Sequence, residues 1–262
     1  MATLAGAHAE RVGKVRELLT PKGRREQRRF AFEGPTLLEE ALRSNVAVEE
    51  LYVTERILAS NDLVEKLDRS GTSVYIVDER TMHKISDVET PTEIIAVAAI
   101  RMAPLDMMLA KPLTLVLADL NDPGNAGTLL RSAEAFGAAG VVFGNGGVDP
   151  FNPKVVRGAM GAIFRLELAA GDPSMVASAA AATGTEIVGL DGSGKPIETG
   201  AWAARSALVV GHERRGLGVW DTICARRIAI PMTAATESLN AAVAGSIALY
   251  EAARRAAERP GG

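Results

Sequence analysis

The sequence predicts an α/β protein of two domains. Short runs rich in Val, Ile and Leu alternate with stretches of helical period along the whole chain, the pattern of strands and helices that pack in layers. In the second half the strand-like runs are continuously apolar, as in LTLVLADL from residue 113, which suits parallel strands buried on both faces. Between the halves, RMAPLDMMLAKP at residues 101–112 carries two prolines and no clear period, the mark of a connecting segment. The expected division is a small α/β domain over residues 1–100, a linker over 101–112 and a larger domain with a parallel sheet over 113–262.

Each element follows from its own stretch. In the first domain RFAFEG, EELYVT, SVYIVD and EIIAVAAI read as strands, and PTLLEEALRS, ILASNDLVEKLDRS and ERTMHKIS as helices. In the second, LTLVLADL, GVVFG, IFRLEL, EIVGL, ALVVG and RRIAIPM read as strands. Helices are expected over residues 124–137, 174–182 and 238–255, the last long and ending in mixed charge.

Composition narrows the classes. With 262 residues and 47% hydrophobic side chains, the chain can bury a sizeable core. Aromatics are only 4%, so Ala, Val, Leu and Ile must fill that core. No apolar run reaches roughly 18 residues, so no transmembrane helix is expected. The opening MATLAGAHAERVGKVREL lacks the basic-then-apolar order of a signal peptide. The single cysteine, Cys224, allows no internal disulfide and suits a reducing compartment. The expectation is a cytoplasmic protein. The net charge of −3 gives no general attraction to nucleic acid, but its distribution does. Arg11, Lys14, Arg16, Lys22, Arg24, Arg25, Arg28 and Arg29 lie together, against only Glu17 and Glu26. Such a patch is the electrostatic footprint of phosphate binding, although a charge run can also be a solvated helix end.

Several motifs approach a known chemistry and fail. Residues 189–195 read G-x-x-x-x-G-K after a strand. A phosphate-binding loop then needs Ser or Thr opening a helix, and here Pro196 follows. Residues 144–149 begin like G-x-G-x-x-G, with Asp149 in place of the third glycine. His212 and Glu213 begin H-E-x-x-H, but the fifth residue is Gly216, so the second zinc ligand is missing. No G-x-S-x-G nucleophile elbow occurs. No metal is expected.

Three polar stations remain, each at the end of a predicted strand, where ligands bind in open α/β sheets. The first is NDPGNAGTLLRSAEAFG, residues 121–137. Its Asn-Asp-Pro-Gly turn leads into a helix that Asn125 is expected to cap. Arg131 follows on the side of Thr128, among the packing positions Ala126, Leu129, Leu130, Ala133 and Phe136. An arginine buried there would need an anion; it is either a helix-surface residue or a binder of phosphate or carboxylate. The second station is VVGHERRGLG, residues 209–218. Gly211 lets the backbone approach a ligand closely, and Glu213 can orient Arg131, anchor the loop or simply start a helix. The third is IPMTAATESLNAAVAGSIALYE, residues 230–251. Ser238 is the expected N-cap of the last helix, whose N-terminus offers free N–H groups to a ligand. Capping explains Ser238, but not Asn240 or the Ile230-Pro231-Met232 turn.

The spacing N-x5-R, the pattern G-x-E-x-x-G-L and the sequence IPM, then S-L-N, then ALYE occur in order. Together they resemble the three signature motifs of the SpoU (TrmH-like) branch of the knotted SPOUT RNA methyltransferases. VVRGAMGAIFRLEL, residues 155–168, is similar to the family's segment between the first two motifs. RRFAFEGPTLLEEAL resembles its accessory RNA-binding domain of the ribosomal-protein L30e type. Gly158 and Ala159 stand where many relatives have Ala-Ser, and alanines follow Asn240 where bulkier residues are common; neither change removes a chemical group.

The resemblance implies an α/β fold: a small L30e-like domain, then a C-terminal SPOUT parallel sheet with helices on both faces, threaded as a deep trefoil knot across residues 209–248. It implies S-adenosylmethionine as cofactor, without a metal, held near Leu190, Gly211, Ile230, Met232 and Leu239. It implies a homodimer, each site completed near the partner's arginine-bearing helix. The implied reaction is methylation of a ribose 2′-hydroxyl in RNA, ribosomal RNA before transfer RNA. Arg131 would meet the target phosphate and ribose, while Asn125, Glu213, Ser238 and Asn240 hold Arg131, ribose and cofactor in place. Arg24, Arg25, Arg28 and Arg29 would grip the RNA. A catalytically inactive RNA-binding protein of the same fold would have lost a polar residue at some station, and none is lost. A Rossmann-type nucleotide enzyme would need an intact glycine fingerprint, and the chain lacks one.

Overall fold

The computed structural model describes residues 3–4, 9–199, 202–212, 214–233 and 238–258. Two compact units emerge: Met1–Arg101 with Phe151–Phe164, and Met102–Pro150 with Arg165–Gly262. The first contains β1 (Thr3–Leu4), α1 (Ala9–Glu17), α2 (Pro21–Gln27), β2 (Arg29–Glu33), α3 (Pro35–Arg43), β3 (Val48–Val53), α4 (Glu55–Ser60), α5 (Asp62–Arg69), β4 (Ser73–Ile76), α6 (Glu79–Ile85) and β5 (Ile94–Ala99). Its sheet has the order β1-β4-β3-β5-β2. β5 runs antiparallel to both neighbours, the other pairs being parallel. The four predicted strands are all present. The single helix expected over ILASNDLVEKLDRS is two, because the Asn61 side chain accepts from the N–H groups of Leu63 and Val64 and so starts α5 afresh.

The chain continues as α7 (Leu105–Leu109), β6 (Leu113–Leu117), α8 (Pro123–Ala135), β7 (Gly140–Gly144), α9 (Pro153–Ala159), α10 (Ala162–Arg165), β8 (Glu167–Gly171), α11 (Pro173–Thr183), β9 (Glu186–Pro196), β10 (Ser206–Val210), β11 (Arg226–Ala229) and α12 (Ala241–Ala257). A 3-10 helix, Gly218–Ile223, precedes β11. The second sheet has the order β11-β9-β10-β6-β7-β8, and every pair in it is parallel. Leu115, Val116 and Leu117 of β6 are at most 1% exposed, as the continuous apolar run requires. Among the described residues no helix is long and apolar enough to cross a membrane.

Three expectations need correction. The segment expected as a linker contains α7, whose Met108 and Leu109 are fully buried in the core of the second unit; helical burial of two large side chains overrides the proline signal. IFRLEL is not one strand. Ile163 to Arg165 lie in α10, and β8 starts at Glu167 in register with Gly140 of β7. Residues Phe151–Phe164 group with the first unit, because the Phe151 ring sits 4.8 Å from Phe30 and the Phe164 ring 5.0 Å from Phe32. Arg157 secures the same excursion with hydrogen bonds of 2.7 and 2.8 Å to the Asp87 carboxylate.

Candidate active site

A cavity opens in the second unit beside the carboxyl ends of β10 and β11 and the middle of β9. Leu190, Gly211, Ile230, Met232 and Leu239, expected from separate stretches of sequence to meet one ligand, all line it. The sheet's register explains how β9 contributes. Arg227 stands opposite Gly189 but Ile228 stands opposite Lys195, so residues 190–194 bow out of the β9–β11 ladder. The near-miss phosphate loop is therefore a bulged strand, and its Leu190 and Asp191 become cavity wall. Gly211 has to be glycine: a Cβ there would lie 2.3 Å from the carbonyl oxygen of Gly216. That crowding comes from a closed loop in which His212 and Gly216 exchange two backbone hydrogen bonds of 2.9 Å.

Asp191, His212 and Gly216 also line the cavity and were not expected there. The Asp-Gly-Ser-Gly run was the available signal for Asp191. Its carboxylate accepts from the Ser193 hydroxyl at 2.6 Å and the Ser193 N–H at 2.9 Å. These bonds hold its pKa below the usual carboxylate range, so it presents a fixed negative charge. Leu190, Val210, Ile230, Met232 and Leu239 supply apolar surface. A flat, partly apolar ligand carrying positive charge fits this lining. Among the described residues no group of three or more His, Cys, Asp or Glu side chains is placed to hold a metal ion.

The remaining polar residues take partly different posts from those expected. α8 is capped by Asp122, whose carboxylate accepts from the Asn125 N–H at 2.7 Å. Asn125, one turn into the helix, accepts instead from the Asn240 amide at 2.9 Å. Asn240, not Ser238, caps α12, its oxygen accepting from Ala242 and Val243; Ser238 lines the cavity. The Asn125–Asn240 bond thus ties the first station to the third. α8 and α12 stay close because Gly245 leaves room for Leu129, which a Cβ would meet at 2.5 Å, and because Ser132 and Ser246 share a 2.6 Å hydrogen bond. Arg131 is exposed, so no burial cost attaches to it, and among the described residues no carboxylate pairs with it. It is not among the residues lining the cavity. Glu213 lies outside the described residues.

Sequence reasoning missed Asp119, which ties the end of β6 to the loop after β7 and to the 3-10 helix before β11. It follows β6 with φ 52, a left-handed conformation uncommon for a residue with a Cβ. One oxygen accepts from the Trp220 indole at 3.0 Å, the other from the Gly146 N–H at 3.1 Å. The glycines of the failed G-x-G-x-x-G pattern make room for it: a Cβ on Gly144 would stand 2.5 Å from Asp119 Oδ1.

The basic segment divides by exposure. Arg24 is 1% exposed, with its guanidinium donating to the Leu18 carbonyl at 2.7 Å, so it braces the interior and does not reach RNA in this conformation. Arg29 is half-buried and pairs with Glu50 at 2.9 Å and Glu49 at 3.6 Å. Burial disfavours charge on Glu50, but hydrogen bonds from Tyr52 and Arg29 outweigh it and hold the carboxyl below its usual range. Arg25 and Arg28 are exposed, as are Lys14, Arg16 and Lys22.

Residues 112–250 match the SpoU rRNA methylase family and residues 9–96 the MRM3-like substrate binding domain. The chain is 30% identical over 254 residues to the 23S rRNA (guanosine(2553)-2'-O)-methyltransferase RlmP of Bacillus subtilis, covering 95% of this chain and 98% of the relative. The AdoMet-bound rRNA methyltransferase from Sinorhizobium meliloti superimposes with a TM-score of 0.85 at 27% identity, over 97% of each chain. The SpoU methyltransferase AviRb from Streptomyces viridochromogenes, solved with AdoMet, also gives 0.85, at 26% identity, over 95% of this chain and 99% of that one. The motifs in order, the parallel sheet with its cavity and these full-length likenesses agree: the chain belongs to the SpoU rRNA methylase family.

Proposed function

We infer that this protein transfers a methyl group from S-adenosylmethionine to a ribose 2′-hydroxyl of ribosomal RNA. The observation that carries the reading is the cavity at the ends of β10 and β11 and the middle of β9, lined by all five residues expected to hold the cofactor. Its apolar walls suit the ligand's adenine and methionine parts, and Asp191 suits its positive charge. When bound, the cofactor supplies a methyl group already activated by a sulfonium. The protein's own task is positioning and charge, and orientation alone contributes about 7 kcal/mol or more in well-aligned reactions. The exposed guanidinium of Arg131 takes the phosphate beside the target ribose and favours loss of the hydroxyl proton by its charge. Asn125, held by Asn240, fixes the helix that carries Arg131, while Ser238 stands at the cavity.

The same reading includes a homodimer, a trefoil knot over residues 209–248 and a cytoplasmic location. Leu239, Val243, Ile247 and Tyr250 form an exposed apolar stripe at helical spacing along α12 and the turn before it, and Tyr250 packs edge-on against Phe136 just beyond α8. A second copy covering this stripe would bring its own Arg131 helix to the cavity. The single cysteine supports a reducing compartment. The exposed Arg25 and Arg28 remain the candidates for RNA phosphate contact, and Arg29 joins them only if Glu50 releases it.

The test is methyl transfer from labelled S-adenosylmethionine to unmodified ribosomal and transfer RNA, with the modified nucleoside identified by mass spectrometry. A 2′-O-methylated nucleoside is expected from the wild type and none from Arg131→Ala, whose affinity for S-adenosylmethionine stays within about twofold because Arg131 lies outside the cavity lining. Base methylation would overturn the ribose assignment. Loss of cofactor affinity in a folded Arg131→Ala protein would overturn the role given to that side chain.

A further inference from the structure

The first unit holds a cavity that the methyl transfer does not use. Thr54 at the end of β3 lines it, together with Met82 and His83 of α6 and Pro91 and Glu93 of the loop before β5. Thr54 is 5% exposed, and its hydroxyl has no hydrogen-bond partner among the described residues. Leaving such a group unpaired costs about 1–3 kcal/mol, so it calls for a partner. Glu93 adopts φ 63, a backbone state that tends to persist at ligand clamps. The loop is held firmly: Glu33 accepts from the Ser86 hydroxyl at 2.7 Å and the Thr92 N–H at 2.8 Å. The wall is therefore formed in advance.

The lining selects the chemistry of the occupant. Arg56 at the rim is ion-paired with Glu93, and Glu79 adds a second carboxylate, so a phosphate would meet as much repulsion as attraction. Pro91, backed by the fully buried Met82, makes one side of the cavity apolar. Thr54 and His83 add hydrogen-bonding groups. A flat neutral heterocycle with both donors and acceptors fits this mixture. The cavity measures about 270 Å³, near the lower end of small-ligand sites, which begin at about 300 Å³: it has room for one ring system, not for a duplex. Proteins read single-stranded RNA by seating splayed-out bases in pockets. We propose that this cavity seats one unpaired base of the RNA substrate, with Thr54 reading its edge. The proposal rests on the RNA-modifying function above and makes Thr54 and His83 specificity-determining residues.

The test is fluorescence anisotropy with the full chain and short RNA homopolymers of A, C, G or U, without S-adenosylmethionine. The wild type is expected to prefer one base. Thr54→Val, nearly the same shape without the hydroxyl, should weaken that homopolymer by about fivefold, the worth of one hydrogen bond, and leave the others unchanged. His83→Ala, an exposed position that leaves the fold intact, should erode the same preference. Unchanged binding in both variants would overturn the proposal, and so would an equal loss for all four homopolymers, which a phosphate contact would give. A wild type that methylates RNA but shows no base preference removes this site and leaves the function standing. A wild type that keeps the preference without any methyl transfer does the reverse.

Discussion

At the scale of single residues, the site depends on close backbone approach more than on side-chain chemistry. Gly211 is the clearest case, with the Gly216 carbonyl where its Cβ would be. Gly211→Ala must push apart the loop that His212 and Gly216 close, and with it the cavity wall. Affinity for S-adenosylmethionine, read by calorimetry, should fall at least about tenfold, roughly 1.4 kcal/mol, while thermal unfolding shows a folded protein. Unaltered affinity would mean that the cofactor does not touch this wall. Glycine at a strand end was legible in the sequence, but the atom it makes room for was not. Asp119 was invisible for a related reason: its partners Trp220 and Gly146 lie far away in sequence, and its left-handed backbone leaves no trace in composition.

At the scale of elements, α12 carries two stabilising devices. Asn240 caps its N-terminus and also donates to Asn125. Asn240→Ala should cost about 1–2 kcal/mol in urea unfolding, since a lost cap alone costs about 1, and should lower kcat more than cofactor affinity because α8 loses its tether. At the other end, hydrogen bonds from Arg254 and Arg255 overcome partial burial and push the Glu251 carboxyl down to about 2 from its ordinary 4.5. A folded value below the ordinary one makes the pair stabilising above pH 4.5, and this benefit is lost as pH falls through about 2. Glu251→Gln should therefore be less stable by about 1 kcal/mol at neutral pH, a figure reduced by solvent screening. The difference should narrow as acid is added; a gap that stays constant with pH would show that the loss is packing. Both devices rest on short-range sequence, yet the cap expected at Ser238 stands at Asn240, because Ser and Asn two residues apart are equally good caps until packing fixes where the helix starts.

At the scale of the molecule, the apolar stripe of α12 and the exposed Arg131 make one prediction about assembly. Ile247→Glu with Tyr250→Glu places two charges on that stripe, away from the cavity lining. Sedimentation velocity should report a dimer for the wild type and a monomer for the variant. Methyl transfer should fall in parallel while the monomer still binds S-adenosylmethionine. A variant that stays dimeric would place the interface elsewhere, and a fully active monomer would remove the partner's helix from the site.

The sequence by itself determined the α/β class, the strands of both sheets except β1, the start of β8 and the far part of β9, and the three polar stations, whose family resemblance implied five of the residues that line the cavity. Those features are local, written as apolar runs, turn residues and motif spacing over a few residues. Tertiary structure alone decided that α7 belongs to the second core, that residues Phe151–Phe164 pack with the first unit, that Arg24 is buried while Arg25 and Arg28 are exposed, and that residues 190–194 bow out to wall the cavity. Each of these depends on which distant side chains fill the same volume. A basic run reads the same in sequence whether a given arginine faces water or the Leu18 carbonyl, and only packing distinguishes the two.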